Sequence, residues 1–192
     1  LSELFAIAIA AVLNLHFQLF PLQILFINLI TDVLPALALG VTPGNANIMR
    51  QPPRSADQPI IENTHWKAVF FYSLTICAAS LGAVLFSHYT MHTIEGWNPK
   101  LCNNILFFTI IGSQLLHVFN MNVSGTSFFT SEVVRNKYVW FAVALCILIL
   151  ILLYELTPVR KVLALYTLSF SDWSIIVGFS LAGMIVNQVA KM

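Results

Sequence analysis

The chain has 192 residues and a mass of 21.4 kDa, and only 9 Lys/Arg and 8 Asp/Glu carry its charge, 9% against roughly 25% in an ordinary soluble domain. With 58% hydrophobic residues and a net charge of +1, that composition excludes a soluble globular enzyme, a disordered chain and a basic nucleic-acid binder. A polytopic membrane protein remains.

The charges fall in short clusters, which leaves 4–31, 33–49, 68–94, 101–131, 138–154 and 173–190 free of Asp, Glu, Lys and Arg. A spanning helix needs about 20 apolar residues. The pattern predicts six spans at about 1–14, 20–40, 66–89, 102–120, 137–154 and 172–190. Runs such as Phe141 to Leu153 lack the alternation of a barrel strand, and a helix satisfies its own backbone in lipid. The expected fold class is therefore all-α, a polytopic helical membrane bundle whose first span is truncated. That span starts at Leu1 with neither flanking charge nor the basic region of a secretory signal. The expectation is a fragment that begins inside a helix.

In the second span, Asn28, Thr31 and Asp32 stand at i, i+3 and i+4, which stacks an amide, a hydroxyl and a carboxylate on one helical face. A charge at mid-membrane costs roughly 2.5–3.5 kcal/mol and marks ion paths or relays. Hard cations take such oxygen donors. Pro35 lacks an N–H for the Thr31 carbonyl, so the helix is expected to break beside this face. Cation coordination explains the coincidence; a polar interhelical contact beside a kink is the plainer alternative. Glu3 is the other intramembrane carboxylate. If the first hairpin turns near Asn14 to Pro21, Glu3 and Asn28 lie ~15 Å and ~12 Å from the turn, deep enough to face each other. The same spacing also admits Glu3 at the cytoplasmic boundary.

The 102–120 span carries a patch of Ser113, Gln114 and His117, and taken alone such a patch reads as an interhelical hydrogen-bond site. Trp66, Trp97, Trp140 and Trp173 fall at span ends, where indoles anchor in the headgroup zone. Cys77, Cys102 and Cys146 have no zinc or redox spacing. His16, His65, His88 and His92 sit near span ends as interfacial residues. Alternating loops put Arg50, Arg54, Lys67, Arg135, Lys137 and Lys191 on one side, and Lys100, Arg160 and Lys161 on the other. The richer side, with the 41–66 and 121–136 loops and the C-terminus, is expected to be cytoplasmic. On that side the Asn122-Val123-Ser124 glycosylation pattern is a chance match.

The stretch from Pro21 to Gly40, with Asn28-Leu29-Ile30-Thr31-Asp32 and Leu34-Pro35-Ala36, resembles the sixth transmembrane helix of P-type cation-transporting ATPases. Asn47-Ile48-Met49-Arg50-Gln51-Pro52-Pro53-Arg54 is similar to its cytoplasmic continuation, Ser113 to Asn120 to the eighth helix, and Leu168 to Gly178 to the entrance of the tenth. The resemblance covers essentially the whole chain and makes the six spans the fifth to tenth helices of a pump. It implies calcium as the transported cation. It also implies Asn28, Thr31 and Asp32 as sixth-helix ligands, and Glu3, 25 residues before Asn28, as the fifth-helix ligand. Gln114 stands where the two-site calcium pump of the reticulum has a carboxylate, so the resemblance implies it as a further metal-site residue that offers a neutral oxygen, implies one calcium per cycle and leaves manganese open.

The family phosphorylates an aspartate in Asp-Lys-Thr-Gly-Thr, with ATP and Mg2+ bound in cytosolic domains upstream. The present sequence contains no such motif, so this chain is not expected to hydrolyse ATP by itself. The implied partners are the lipid bilayer and the N-terminal and cytosolic portions of the same pump, with no nucleic acid. Two other classes use the same residues: a self-contained cation channel or secondary carrier, and a non-transporting membrane scaffold whose polar groups only pack.

Overall fold

The computed structural model describes residues 1–15, 17–41, 61–90, 98–121 and 132–191. Several sequence expectations lie outside the described residues: the Asn47–Arg54 motif, Trp97, His16, His92, the Asn122-Val123-Ser124 pattern and most of the 41–66 and 121–136 loops. Among the described residues the chain is all helical. Helix α1 is Ser2–Val12. Helix α2 is Pro21–Gly40, built from Pro21–Asn28, a π turn at Leu29–Val33 and Leu34–Gly40. Helix α3 is Asn63–Thr90, and α4 is Pro99–His117 with a 3-10 turn at Val118–Asn120. Then come α5 at Glu132–Arg135, α6 at Lys137–Glu155, α7 at Thr157–Val162 and α8 at Phe170–Lys191. Five of these, α2, α3, α4, α6 and α8, are long and apolar enough to cross a membrane, whereas α1 has 11 residues. The short α7, started by Pro158, was not anticipated from the sequence.

Helix α4 is the axis of the bundle. Its apolar window is 83% buried, against 22–33% in the other four long helices, and α3 and α8 pack on it and on each other. Lipid is as apolar as leucine, so close packing must hold these helices together, and close packing needs small residues. Gly112 supplies one: a Cβ there would stand 2.7 Å from Ser180 Oγ on α8. Gly183 faces Ala79 in the same way, at 3.3 Å. Helix α1 lies against α3, and the last segment of α2 lies against α6.

Buried amides tie the connecting segments at one end of the bundle. Gln23 Nε2 donates to Asn103 Oδ1 at 2.8 Å and to the Leu163 carbonyl at 3.0 Å. Asn103 Nδ2 donates back to Gln23 Oε1 at 3.0 Å and also to the Gln18 carbonyl. Asn104 Nδ2 donates to the Ala164 carbonyl at 3.3 Å, and its Oδ1 accepts from the Tyr166 N–H at 2.9 Å. The α1–α2 turn, the start of α4 and the end of α7 are thereby fixed to one another. Near the same end Ser169 and Asp172 cap α8 reciprocally, with Asp172 Oδ2 accepting from the Ser169 N–H at 2.9 Å and the Asp172 N–H donating to Ser169 Oγ at 3.2 Å.

The tryptophans divide. Trp66 and Trp140 are exposed near helix starts, as interfacial anchors require. Trp173 instead packs inward against Phe108 and Tyr154, with ring centroids 4.9 and 5.6 Å away. The three cysteines are buried and free of disulfides.

A candidate cation site on three helices

Glu3 sits in the first turn of α1, only 8% exposed, and its carboxylate meets two other helices. From α4, Gln114 Nε2 donates to Glu3 Oε1 at 3.2 Å and to Ser2 Oγ at 2.9 Å. From α2, the Asn28 amide lies against Glu3; assigning its nitrogen to that side, the orientation that gives both groups a partner, lets Nδ2 donate to Glu3 Oε1 at 3.2 Å and Oε2 at 3.3 Å. A carboxylate only accepts, so each amide presents nitrogen to it. Glu3 and Asn28 thus face each other, as their depths along the hairpin allow.

Thr31 is buried, and its Oγ1 stands 3.0 Å from the Ile27 carbonyl and 3.3 Å from Asp32 Oδ1, two acceptors that share its single hydrogen. Asp32 joins the cluster through Thr31 and through the wall of a pocket of about 550 Å³, which it lines with Ser2, Thr31 and Gln114. The far wall includes Tyr72, Ser73 and His117. His117 shares a face with Gln114 but stacks on Tyr72, with centroids 4.7 Å apart. Both Asn28 and Asp32 are exposed on the outer side of α2, among the exposed apolar residues Leu25, Leu29 and Val33.

The break expected beside Pro35 is not an unwound stretch. It is the π turn at Leu29–Val33, which keeps the chain helical and moves each carbonyl's partner one residue along. In that register the Ile30 carbonyl would pair with the nitrogen of Pro35; in the α register Thr31 would. Proline can serve neither. Cys146 Sγ on α6 donates to the Ile30 carbonyl at 3.3 Å and supplies one missing partner from another helix. The residues that bear the polar face therefore lie at and within an irregularity that both Pro35 and a neighbouring thiol maintain.

The structure brings Glu3, Asn28 and Gln114 into direct contact and sets Thr31 and Asp32 beside them. Among the described residues no three His, Cys, Asp or Glu side chains converge. The donors are two carboxylates with amide and hydroxyl groups, a set suited to a hard cation rather than a thiolate- or imidazole-seeking one. Sequence reasoning missed Ser2 and Cys146. A serine next to a buried carboxylate carried a signal for the first; nothing local marks the second.

Residues 17–192 match the family described as cation transporting ATPase, C-terminus. The chain belongs to this family. Among relatives of this C-terminal ATPase region is a calcium-transporting ATPase of Bacillus cereus, 27% identical over 100% of this chain and 23% of that protein. One from Bacillus subtilis is 29% identical over 93% of the chain and 20% of its own length, and one from Listeria monocytogenes is 30% identical over 100% and 21%. The chain therefore spans about a fifth to a quarter of the length of these relatives. Its five long apolar helices, with the family match, mark it as an integral membrane region.

Proposed function

We propose that this chain is the ion-binding and translocating part of an ATP-driven pump, and that its cargo is Ca2+. One observation carries the reading: a buried carboxylate on α1 is faced by amides from α2 and α4 beside a proline-maintained π turn. With nitrogen turned inward, the Asn28 amide balances an empty site. With the amide reversed, its oxygen and both Glu3 oxygens converge as a set of acceptors that a bound cation stabilises. Glu3 and Asp32 supply the charge, Asn28 and Thr31 supply neutral oxygens, and Gln114 completes the polar ring. The names of the relatives support calcium as the cargo, and the two-carboxylate set fits one divalent ion.

ATP and Mg2+ act in cytosolic portions of the full-length protein, on the side of the 41–66 loop and the C-terminus, which we assign to the cytoplasm from the Lys/Arg distribution. The test uses the full-length parent reconstituted in lipid. Asp32→Asn abolishes calcium-dependent phosphorylation by ATP if Asp32 ligates the ion. Unchanged calcium affinity in that variant removes Asp32 from the site and, with it, this reading.

A further inference from the structure

We propose that Ser2 and Gln114 form a positioning pair that holds Glu3 toward α2, and that Gln114 acts through its nitrogen rather than as an oxygen ligand; this rests on the cation-site reading above. A primary amide has two N–H groups, and the geometry assigns both: one to Ser2 Oγ at 2.9 Å and one to Glu3 Oε1 at 3.2 Å. The carboxylate fixes which end of the amide faces α1, because reversal would set an oxygen against an acceptor in a poorly solvated place. Ser2 is only 3% exposed and anchors the second N–H, so Gln114 has a reason to stay as it is when the site fills. Asn28 differs. Its amide nitrogen bonds Glu3 alone, with no second acceptor to hold it as Ser2 holds Gln114.

The two amides that look equivalent in the sequence therefore divide the work. Asn28 exchanges nitrogen for oxygen as the cation arrives, while Gln114 steadies the Glu3 carboxylate in both states. Gln114 Oε1, buried and without a hydrogen-bond partner, points away from the carboxylate it steadies. Ser2 becomes a functional residue although it touches no cation.

The test is a calcium titration of ATP-dependent phosphorylation in the full-length protein. Ser2→Ala and Gln114→Leu each raise the half-saturating calcium concentration by about five- to tenfold, the worth of one hydrogen bond, with the maximal level retained. The double variant is no worse than the more affected single one, because both changes break the same arrangement. Ser2→Thr, which keeps the hydroxyl, stays within about twofold of the unmodified protein. The proposal is overturned if Ser2→Ala leaves the half-saturating concentration unmoved, if the two effects multiply, or if Ser2→Thr loses the maximal level along with Ser2→Ala. Asp32→Asn run alongside separates the two ideas. Loss of phosphorylation there with an unmoved Ser2→Ala sinks the pair alone, whereas persistence of calcium dependence there sinks the cation-site reading and the pair together.

Discussion

Replacing Pro35 by alanine should raise stability and lower cation affinity at once. Proline inside a helix costs about 3 kcal/mol relative to alanine, a figure that includes the missing N–H. The α register then becomes available to Leu29–Val33, where the proline now prevents it. Removing the extra residue of the π turn rotates the helix before it relative to the helix after it by about 100°. Asn28 precedes the turn and Asp32 lies within it, so both cannot keep their places, one against Glu3 and the other on the pocket wall. Losing one charge-assisted contact is worth about 1.5–3 kcal/mol, or roughly ten- to a hundredfold in calcium affinity. The assay pairs thermal inactivation of the reconstituted full-length protein with a calcium titration of its phosphorylation. A variant that gains stability and keeps its calcium affinity would refute the idea that the π turn arranges the site.

Two other perturbations test the scaffold. Gln23→Leu leaves Asn103 buried against an apolar side chain and should destabilise by about 2–3 kcal/mol, and adding Asn103→Leu should recover part of that loss because no amide is then stranded; thermal unfolding of the detergent-solubilised full-length protein reads both. Gly112→Ala puts a Cβ 2.7 Å from Ser180 Oγ, and overpacking of that kind should cost about 1–3 kcal/mol, with Ser180→Gly restoring most of it in the same measurement.

Much of this fold was legible because the bilayer imposes a length and a polarity that no other solvent imposes. Charge-free runs marked where α2, α3, α4, α6 and α8 lie, and α1 is a short apolar helix of 11 residues. The polar face of α2 was legible for a related reason: Asn28, Thr31 and Asp32 are costly in lipid, and helical spacing alone put them together. What spacing could not supply was the partner on another helix. Pro35 announced a stranded carbonyl, but whether the chain unwinds or shifts register depends on what lies opposite, here Cys146, 116 positions away in sequence. The patch on α4 was likewise visible, yet which end of the Gln114 amide meets Glu3 is decided by a carboxylate 111 residues distant. Trp173 shows the limit of reading by position. Its place at the start of α8 suggested an exposed anchor, whereas the indole is half-buried against Phe108 and Tyr154.

The most direct test is a structure of the full-length protein with Ca2+ bound. We expect one ion with oxygens of Glu3, Asn28 and Asp32 about 2.3–2.6 Å from it, the Asn28 amide reversed, and the Gln114 nitrogen still on Glu3. A calcium ion held elsewhere, with Glu3 and Asn28 still paired as they are here, would contradict the account.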